Sequence, residues 1–289
     1  MNVNKYNDQV TVVAVSFYSD KIVDKFINSI DKNIKILIVE NSLNLEMKDR
    51  IEKKFKNVSI IIPHENLGNG AGINLGLKNV ETKFALYLDI DAIPSENMID
   101  TLLSYSNKIK DFAILAPKDP NHVYINELYK NFKREDRFHK MDFITGCAMF
   151  LKMEVLKTVG YFDENIFLYY EETDFYFRCH KANLGIYLID EAEFTHVGSS
   201  SIDKKYDEQI LINRNWHFCW SKFYYFKKNY NYLYGIKKTF PNLLRAFKKY
   251  LFFSFKGENK IASQHKAEIK GLVASYMLRK SDFRPKIKS

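Results

Sequence analysis

Asp89 and Asp91 stand two residues apart near the end of an apolar run, Lys-Phe-Ala-Leu-Tyr-Leu-Asp-Ile-Asp-Ala-Ile-Pro, at residues 83–94. A short apolar run that stops at a turn reads as a buried strand, and side chains alternate along a strand. On that reading both carboxylates leave its C-terminal end on one face, while Ile90 points back into the protein. Like charges held so close repel unless a cation lies between them. A hard divalent ion carrying a diphosphate would satisfy both acids through oxygen ligands. Two solvated acids at a strand-end turn would have the same spacing, so the elements around them must decide.

Those elements alternate. Gln9 to Phe17 is rich in β-branched residues and predicts a strand, with Tyr18-Ser19-Asp20 as its turn and helix cap. A helix follows over 23–30, a strand over 34–39 ending in Glu40-Asn41-Ser42, a charged helix over 48–55 and a strand over 58–62. This βαβαβ order predicts a parallel sheet with helices on its faces, in which ligands occupy the crevice beyond the strands' carboxyl ends. Asn66-Leu67-Gly68-Asn69-Gly70-Ala71-Gly72-Ile73-Asn74-Leu75-Gly76 then opens a helix running to about Asn79. Glycines there suit either close approach to a phosphate or close helix packing. They are no dinucleotide fingerprint, because Ile73 occupies the place of the third glycine, and no Walker lysine follows.

Beyond Pro94 the pattern predicts a helix from Ser95 to about Lys108 and a strand over 112–116. Residues 118–140 have no clear period and read as a loop over the cleft. A strand or bend over 142–151, a short helix over 154–158 closed by Gly160, and a helix entered through Glu171-Glu172-Thr173-Asp174 come next. Acids at a helix start suit its dipole without further function. Strands are expected over 185–189 and 192–196, the second ending at His196. That position admits either a metal ligand or a hydrogen-bonded core histidine.

The chain has 289 residues, 46% of them hydrophobic and 15% aromatic, which suits a large core and excludes a disordered composition. Its net charge of +9 is uneven: from Arg214 onward 18 Lys and Arg face three acids, a local +15, so the preceding residues carry −6. In this tail Trp216, Trp220, Phe223 and Tyr224 fall at helical spacing. Leu243, Leu244, Phe247 and Leu251 repeat it, with Arg245, Lys248 and Lys249 alongside. A basic amphipathic helix predicts contact with an anionic membrane surface at 240–256, whereas a plain helical cap explains 214–235 equally well. Cys147, Cys179 and Cys219 lack metal-like spacing and are odd in number, so a reduced, cytoplasmic protein without disulfides is expected. Neither a signal peptide nor a spanning run is visible.

Taken together, Glu40-Asn41-Ser42, the Asn66–Gly76 glycine box, Asp89-Ile90-Asp91, Thr145-Gly146-Cys147-Ala148, Gly160-Tyr161-Phe162-Asp163-Glu164, Glu171-Glu172-x-Asp174 and His196 form an ordered set over about residues 10–200. The set resembles the family 2 inverting glycosyltransferases, most of all their rhamnosyltransferase-like branch. The resemblance implies an α/β fold of GT-A type, a mostly parallel central sheet flanked by helices, with a helical C-terminal extension. It implies a catalytic domain over 1–205, with a nucleotide-binding half over about 1–117 and an acceptor-binding half over about 118–205, followed by a basic aromatic helical region over 206–289. A nucleotide-diphosphate sugar would be the donor, Mn²⁺ or Mg²⁺ the cofactor and a saccharide the acceptor. Tyr18 and Glu40 would lie at base and ribose, and Asn69 near the nucleotide. Asp89 and Asp91 would hold nucleotide and metal, His196 would be a further metal ligand, and Glu172 the general base. Tyr169, Tyr170 and Asp174 would meet the acceptor. The family more often has Asp where this chain has Glu40 and Glu172, and the added methylene alters the reach of both.

The chemistry agrees with these residue types. A diphosphate leaving group calls for a divalent cation, oxygen ligands suit it, and a histidine shifts the choice towards Mn²⁺. An acceptor hydroxyl needs a carboxylate to take its proton. With the basic tail, the expected role is transfer of rhamnose or another hexose to a lipid-linked acceptor in bacterial surface polysaccharide synthesis, such as O-antigen, at the inner face of the cell membrane. The alternative, a sugar nucleotidyltransferase, normally carries its glycine-rich loop directly after the first strand, where this chain has Phe17-Tyr18-Ser19. Nucleic-acid binding rests on basic charge alone, without a reader motif, and is not expected.

Overall fold

The computed structural model describes residues 5–6, 8–121, 137–196 and 207–284. Most of the loop expected over 118–140 therefore lies outside the described residues. The chain divides into two compact units, one formed by Met1–Leu67, Gly72–Tyr161 and Phe175–Ser201, the other by Gly68–Ala71, Phe162–Asp174 and Ile202–Ser289. Two short upstream segments thus group with the C-terminal helices instead of the sheet.

Among the described residues the first unit is built on nine strands: β1 Val10–Ser16, β2 Lys35–Glu40, β3 Val58–Ile61, β4 Phe84–Leu88, β5 Ala92–Pro94, β6 Phe112–Lys118, β7 Phe138–Lys140, β8 Ala148–Lys152 and β9 Gly185–His196. Their order is β3-β2-β1-β4-β8-β6-β9-β5, with β7 also paired to β9. The run β3-β2-β1-β4 is parallel, as the βαβαβ order predicts. β8 then enters antiparallel between β4 and β6, so the sheet as a whole is mixed. Strands covered on both faces lose the alternation of a half-exposed strand, and all five residues of β4 are buried. Val12, Ile36, Ile38, Leu86 and Phe150 lie at the centre of this core, fully buried. Each such side chain contributes about 1.5–3 kcal/mol by leaving water.

Helices α1 Val23–Asn28, α2 Leu45–Lys54, α3 Asn69–Leu77, α4 Met98–Lys108, α5 Leu156–Val159 and α6 Glu171–Lys181 connect the strands. α2 begins three residues before the expected Lys48, because the Asn44 side chain accepts a hydrogen bond from the Met47 amide and caps it there. A Cβ on Gly76 would come within 2.4 Å of Val13 Cγ1. The glycine thus lets α3 lie directly on β1, which is the packing reading of the glycine box.

Two of the differences from the sequence reading bear on the acids and the histidine. The apolar run over 83–94 is not one strand: β4 stops at Leu88, the Ala92 amide bonds back to the Asp89 carbonyl at 2.8 Å, and β5 starts after that turn. Asp89 and Asp91 therefore share a side through a turn, not through strand alternation. The two strands expected over 185–189 and 192–196 are one 12-residue strand, β9, with a register shift against β6 between Pro117 and Lys118. Such a bulge bends a strand without ending it.

The second unit is mainly helical: α7 Asp207–Asn229, α8 Tyr232–Phe255 and α9 Asn259–Tyr276. The aromatics placed by helical spacing are its core, with Trp216 and Trp220 packed on Ala267, and Phe223 on Leu272. A Cβ on Gly271 would stand 2.2 Å from the Trp216 carbonyl oxygen, so only glycine admits this approach of α9 to α7. No described helix is long and apolar enough to cross a membrane.

Candidate functional site

The carboxyl ends of β4 and β9 bring the acids and the histidine together. His196, the last residue of β9, pairs in register with Ala92 of β5, immediately after the Asp89–Asp91 turn. Its Nε2 lies 3.1 Å from Asp91 Oδ1 and 4.0 Å from Asp89 Oδ2. Sequence separations of 105 and 107 residues collapse to ligand distances because β5 and β9 are neighbours. The hydrogen bond that its ring donates to Asp91 raises the His196 pKa above its ordinary value, against the opposing effect of its burial. Burial pushes Asp89 up to about 6, and the neighbouring charge of Asp91 adds to it. The Asp89 side chain still keeps 32% of its surface, so it faces a crevice, not a sealed interior.

Two further side chains meet Asp89. The Tyr87 hydroxyl donates to Asp89 Oδ1 at 2.6 Å. Cys147 stands opposite Asp89 where β8 runs antiparallel to β4, its carbonyl accepting the Asp89 amide at 2.8 Å. The Cys147 thiol, a carboxylate oxygen of Asp89 and a ring nitrogen of His196 lie within 4.8 Å of one another. Neither residue is a candidate in the sequence reading. Tyr87 carried a signal, since it lies two residues before Asp89 in one run. Cys147 stands in the Thr145-Gly146-Cys147-Ala148 motif, but only strand pairing brings it to Asp89.

A second buried acid closes β2. Glu40 is opposite Ser16 of β1 and fully buried. The Ser42 amide donates to its Oε1 at 2.7 Å, and the Ser42 hydroxyl donates to the same oxygen. Burial raises its pKa. Among the described residues its Oε2 and Ser16 Oγ are both buried without a hydrogen bond of good geometry, although the Ser16 hydroxyl opposes the effect of burial on the Glu40 pKa. A buried acceptor left in this state favours a ligand that brings a donor to it. Tyr18, in the turn after β1, is half-buried in the left-handed region at φ 52°, its ring edge-on to Phe17. Such a conformation in a bulky aromatic residue is held only where its surroundings impose it.

The remaining candidates belong to the second unit. Tyr169 and Tyr170 are consecutive residues at φ 64° and 71°, half-buried, and lead into α6. Both rings lie 5.7 Å from Phe218 of α7. Of the acids at the start of α6, Glu171 and Asp174 are buried and Glu172 is half-exposed. Asn69 donates to Glu171 Oε1 at 2.8 Å, and its amide to the Phe167 carbonyl at 2.9 Å. Gly68, at φ 81°, has no room for a Cβ, which would meet the Phe167 carbonyl oxygen at 2.2 Å. This start of the glycine box is thus shaped by contact with the 162–174 segment. Asp174 is fully buried and engaged by Lys228 at 2.8 Å and Asn229 at 3.0 Å. Its carboxylate is thus held by two side chains of α7.

A family model described as glycosyl transferase family 2 matches residues 11–160. The chain is 21% identical to the low-salt glycan biosynthesis hexosyltransferase Agl10 of Haloferax volcanii, over 62% of this chain and 64% of that one. It is 24% identical to the dTDP-rhamnosyl transferase RfbF of Shigella flexneri, over 60% of this chain and 63% of that one. It therefore spans less than two thirds of the length of these relatives. Among solved structures it resembles the mannosyltransferase PcManGT of Pyrobaculum calidifontis, in complex with GDP-Man and Mn²⁺, with a TM-score of 0.59 at 11% identity over 94% of this chain and 88% of that one. It also resembles residues 1–349 of S. aureus TarS in complex with UDP-GlcNAc, with a TM-score of 0.53 at 12% identity over 94% and 92%. The fold is the GT-A type that the motif set implied. Because the family model covers more than half of the chain, in the region that forms β1 to α5, the chain belongs to glycosyl transferase family 2.

Proposed function

We propose that this protein is a metal-dependent, inverting glycosyltransferase that moves a hexose, rhamnose among the candidates, from a nucleoside diphosphate to a saccharide acceptor on a membrane lipid. The observation that carries this reading is the convergence of Asp89, Asp91 and His196 at ligand distances. Two carboxylates and an imidazole are a donor set for Mn²⁺ or Mg²⁺, with the nitrogen favouring Mn²⁺. Repulsion between Asp89 and Asp91 is relieved by a cation there, so the residues fit the ion. When bound, the ion takes up the charge of the diphosphate as its bond to the sugar breaks.

The chain's own groups supply the rest. The buried Glu40 carboxylate and Tyr18 receive base and ribose, with Asn69 near the nucleotide. Glu172 removes the acceptor's proton. Among the acids at the start of α6 it is the one that remains half-exposed, whereas Glu171 and Asp174 are buried. Tyr169 and Tyr170 offer flat surface to a sugar ring. Attack opposite the leaving diphosphate inverts the anomeric centre.

The membrane part of the reading rests on α8. Leu233, Phe240, Leu244, Phe247, Leu251 and Phe255 are exposed and fall on one stripe at steps of three, four or seven. Lys237 and Lys248 run along one edge of that stripe, and both are exposed. An apolar face bordered by cations suits an anionic bilayer, where each nearby Lys or Arg contributes about 1 kcal/mol. The deciding experiment is a panel of dTDP-, GDP- and UDP-sugars, scored for hydrolysis and for protection against heat, with and without Mn²⁺. One donor should respond and need the ion; no response from any donor would sink the reading. Flotation with anionic vesicles tests the stripe separately, and equal flotation of a Leu244→Glu/Phe247→Glu variant would remove the membrane from it.

A further inference from the structure

We propose that the Asp89–His196 pair belongs to two overlapping ligand sets, and that Cys147 completes the second as a site for a thiophilic cation of the Zn²⁺ class. The first set closes through Asp91 and offers oxygen and nitrogen to a hard ion. The second replaces the Asp91 oxygen by the Cys147 sulfur. Its three ligand atoms lie within 4.8 Å of one another. Tetrahedral zinc with S, N and O ligands sets them about 3.5 Å apart. Closing that gap takes about 1 Å of side-chain movement.

Three protein ligands with a position left open make a coordination shell that zinc accepts. Thiolate is also the ligand type that selects zinc over magnesium or manganese. Cys147 is the cysteine available for this. It is half-exposed, whereas Cys179 and Cys219 are buried and burial pushes both thiols up to about 12. Its position is fixed by backbone pairing, through the Asp89 amide on its own carbonyl and Leu88 opposite Ala148. Zinc in the second set holds Asp89 and His196 and so displaces the hard ion from the first. The consequence is inhibition by zinc at the metal centre itself.

The inference shares residues with the proposed donor site but does not depend on sugar transfer, so binding to the metal-stripped full chain decides it. Titration with Co²⁺ should produce a thiolate-to-cobalt charge-transfer band in the near ultraviolet, and the band should vanish in Cys147→Ser. Competition of Zn²⁺ against Co²⁺ should show zinc affinity falling by at least about 100-fold in that variant, since even losing an outer partner of a ligand costs 10–100-fold. Mn²⁺ affinity, read by electron paramagnetic resonance, should change by less than about threefold. Cys147→Ala provides a second variant, and both are checked by circular dichroism. A wild-type Co²⁺ complex without the band would overturn the proposal, as would unchanged zinc affinity in both variants. An equal loss of Mn²⁺ and Zn²⁺ would also overturn it, because Cys147 would then serve one common site.

Discussion

Two pairs of carboxylates, one in each unit, are treated in opposite ways. In the sheet, Asp89 and Asp91 face each other and a histidine, with no lysine or arginine among the ionic partners described for them, and Asp89 is pushed up to about 6. In the helical unit, Asp163 and Asp174 share the Lys228 ammonium at 2.7 and 2.8 Å, with Tyr224 and Asn229 adding hydrogen bonds. Burial alone would raise Asp163 as well, but Lys228 and Asn165 outweigh it and leave its pKa below the ordinary value. A carboxylate neutralised from within holds a fold together. One left facing another carboxylate is available to a cation from solution.

Four changes break or sharpen this contrast. The largest effect is expected from Asp91→Ala, which removes half of the acid pair. Metal-stimulated turnover should fall by at least about 10³-fold, equivalent to several kcal/mol of lost charge stabilisation. Activity near wild type would take the pair out of the mechanism. Lys228→Met tests the other unit by leaving Asp163 and Asp174 without their cation. Breaking a buried pair costs about 3 kcal/mol, so the denaturation midpoint should drop while metal affinity at the sheet stays as it was. An unchanged midpoint would mean that the lysine is not what holds those acids.

Protonation of His217 should cost about as much. The ring is buried in the helical unit, Nε2 donating to the Phe283 carbonyl at 2.7 Å and Nδ1 facing Ser281 Oγ at 2.9 Å. Burial lowers its pKa to about 4, with Arg284 adding to the effect. The folded state thus keeps His217 neutral where the unfolded state protonates it. Its contribution is complete above about pH 6.5 and is lost as pH falls towards 4, in all about 3 kcal/mol. His217→Gln should flatten the stability profile over that range, and a wild-type profile already flat there would contradict the assignment. The smallest effect is expected for Glu172→Gln: turnover down by at least about 10²-fold with donor and metal affinity retained. Normal turnover in that variant, with Glu171→Gln inactive, would move the base by one residue.

Much of this fold is legible in the sequence alone. β1 to β3 are legible nearly to the residue, because strands buried on both faces appear as unbroken apolar runs between polar turns. Helical spacing likewise named Trp216, Trp220 and Phe223, which form the core of the C-terminal helices. Boundaries were harder. A side chain capped α2 early at Asn44, and a turn split the run at Asp89, two local hydrogen bonds that hydropathy does not register.

The acids, the histidine and the order of the elements were determined by the sequence itself, because residue type sets what a group can bind and apolar period sets what it folds into. Tertiary structure decided which of them meet. The neighbouring of β5 and β9 carries His196 to Asp91, and the antiparallel entry of β8 carries Cys147 to Asp89. It also made Asp174 a partner of Lys228 while leaving Glu172, two residues away, half-exposed. Both outcomes depend on pairings more than 50 residues apart along the chain, and no local propensity encodes contacts over that distance.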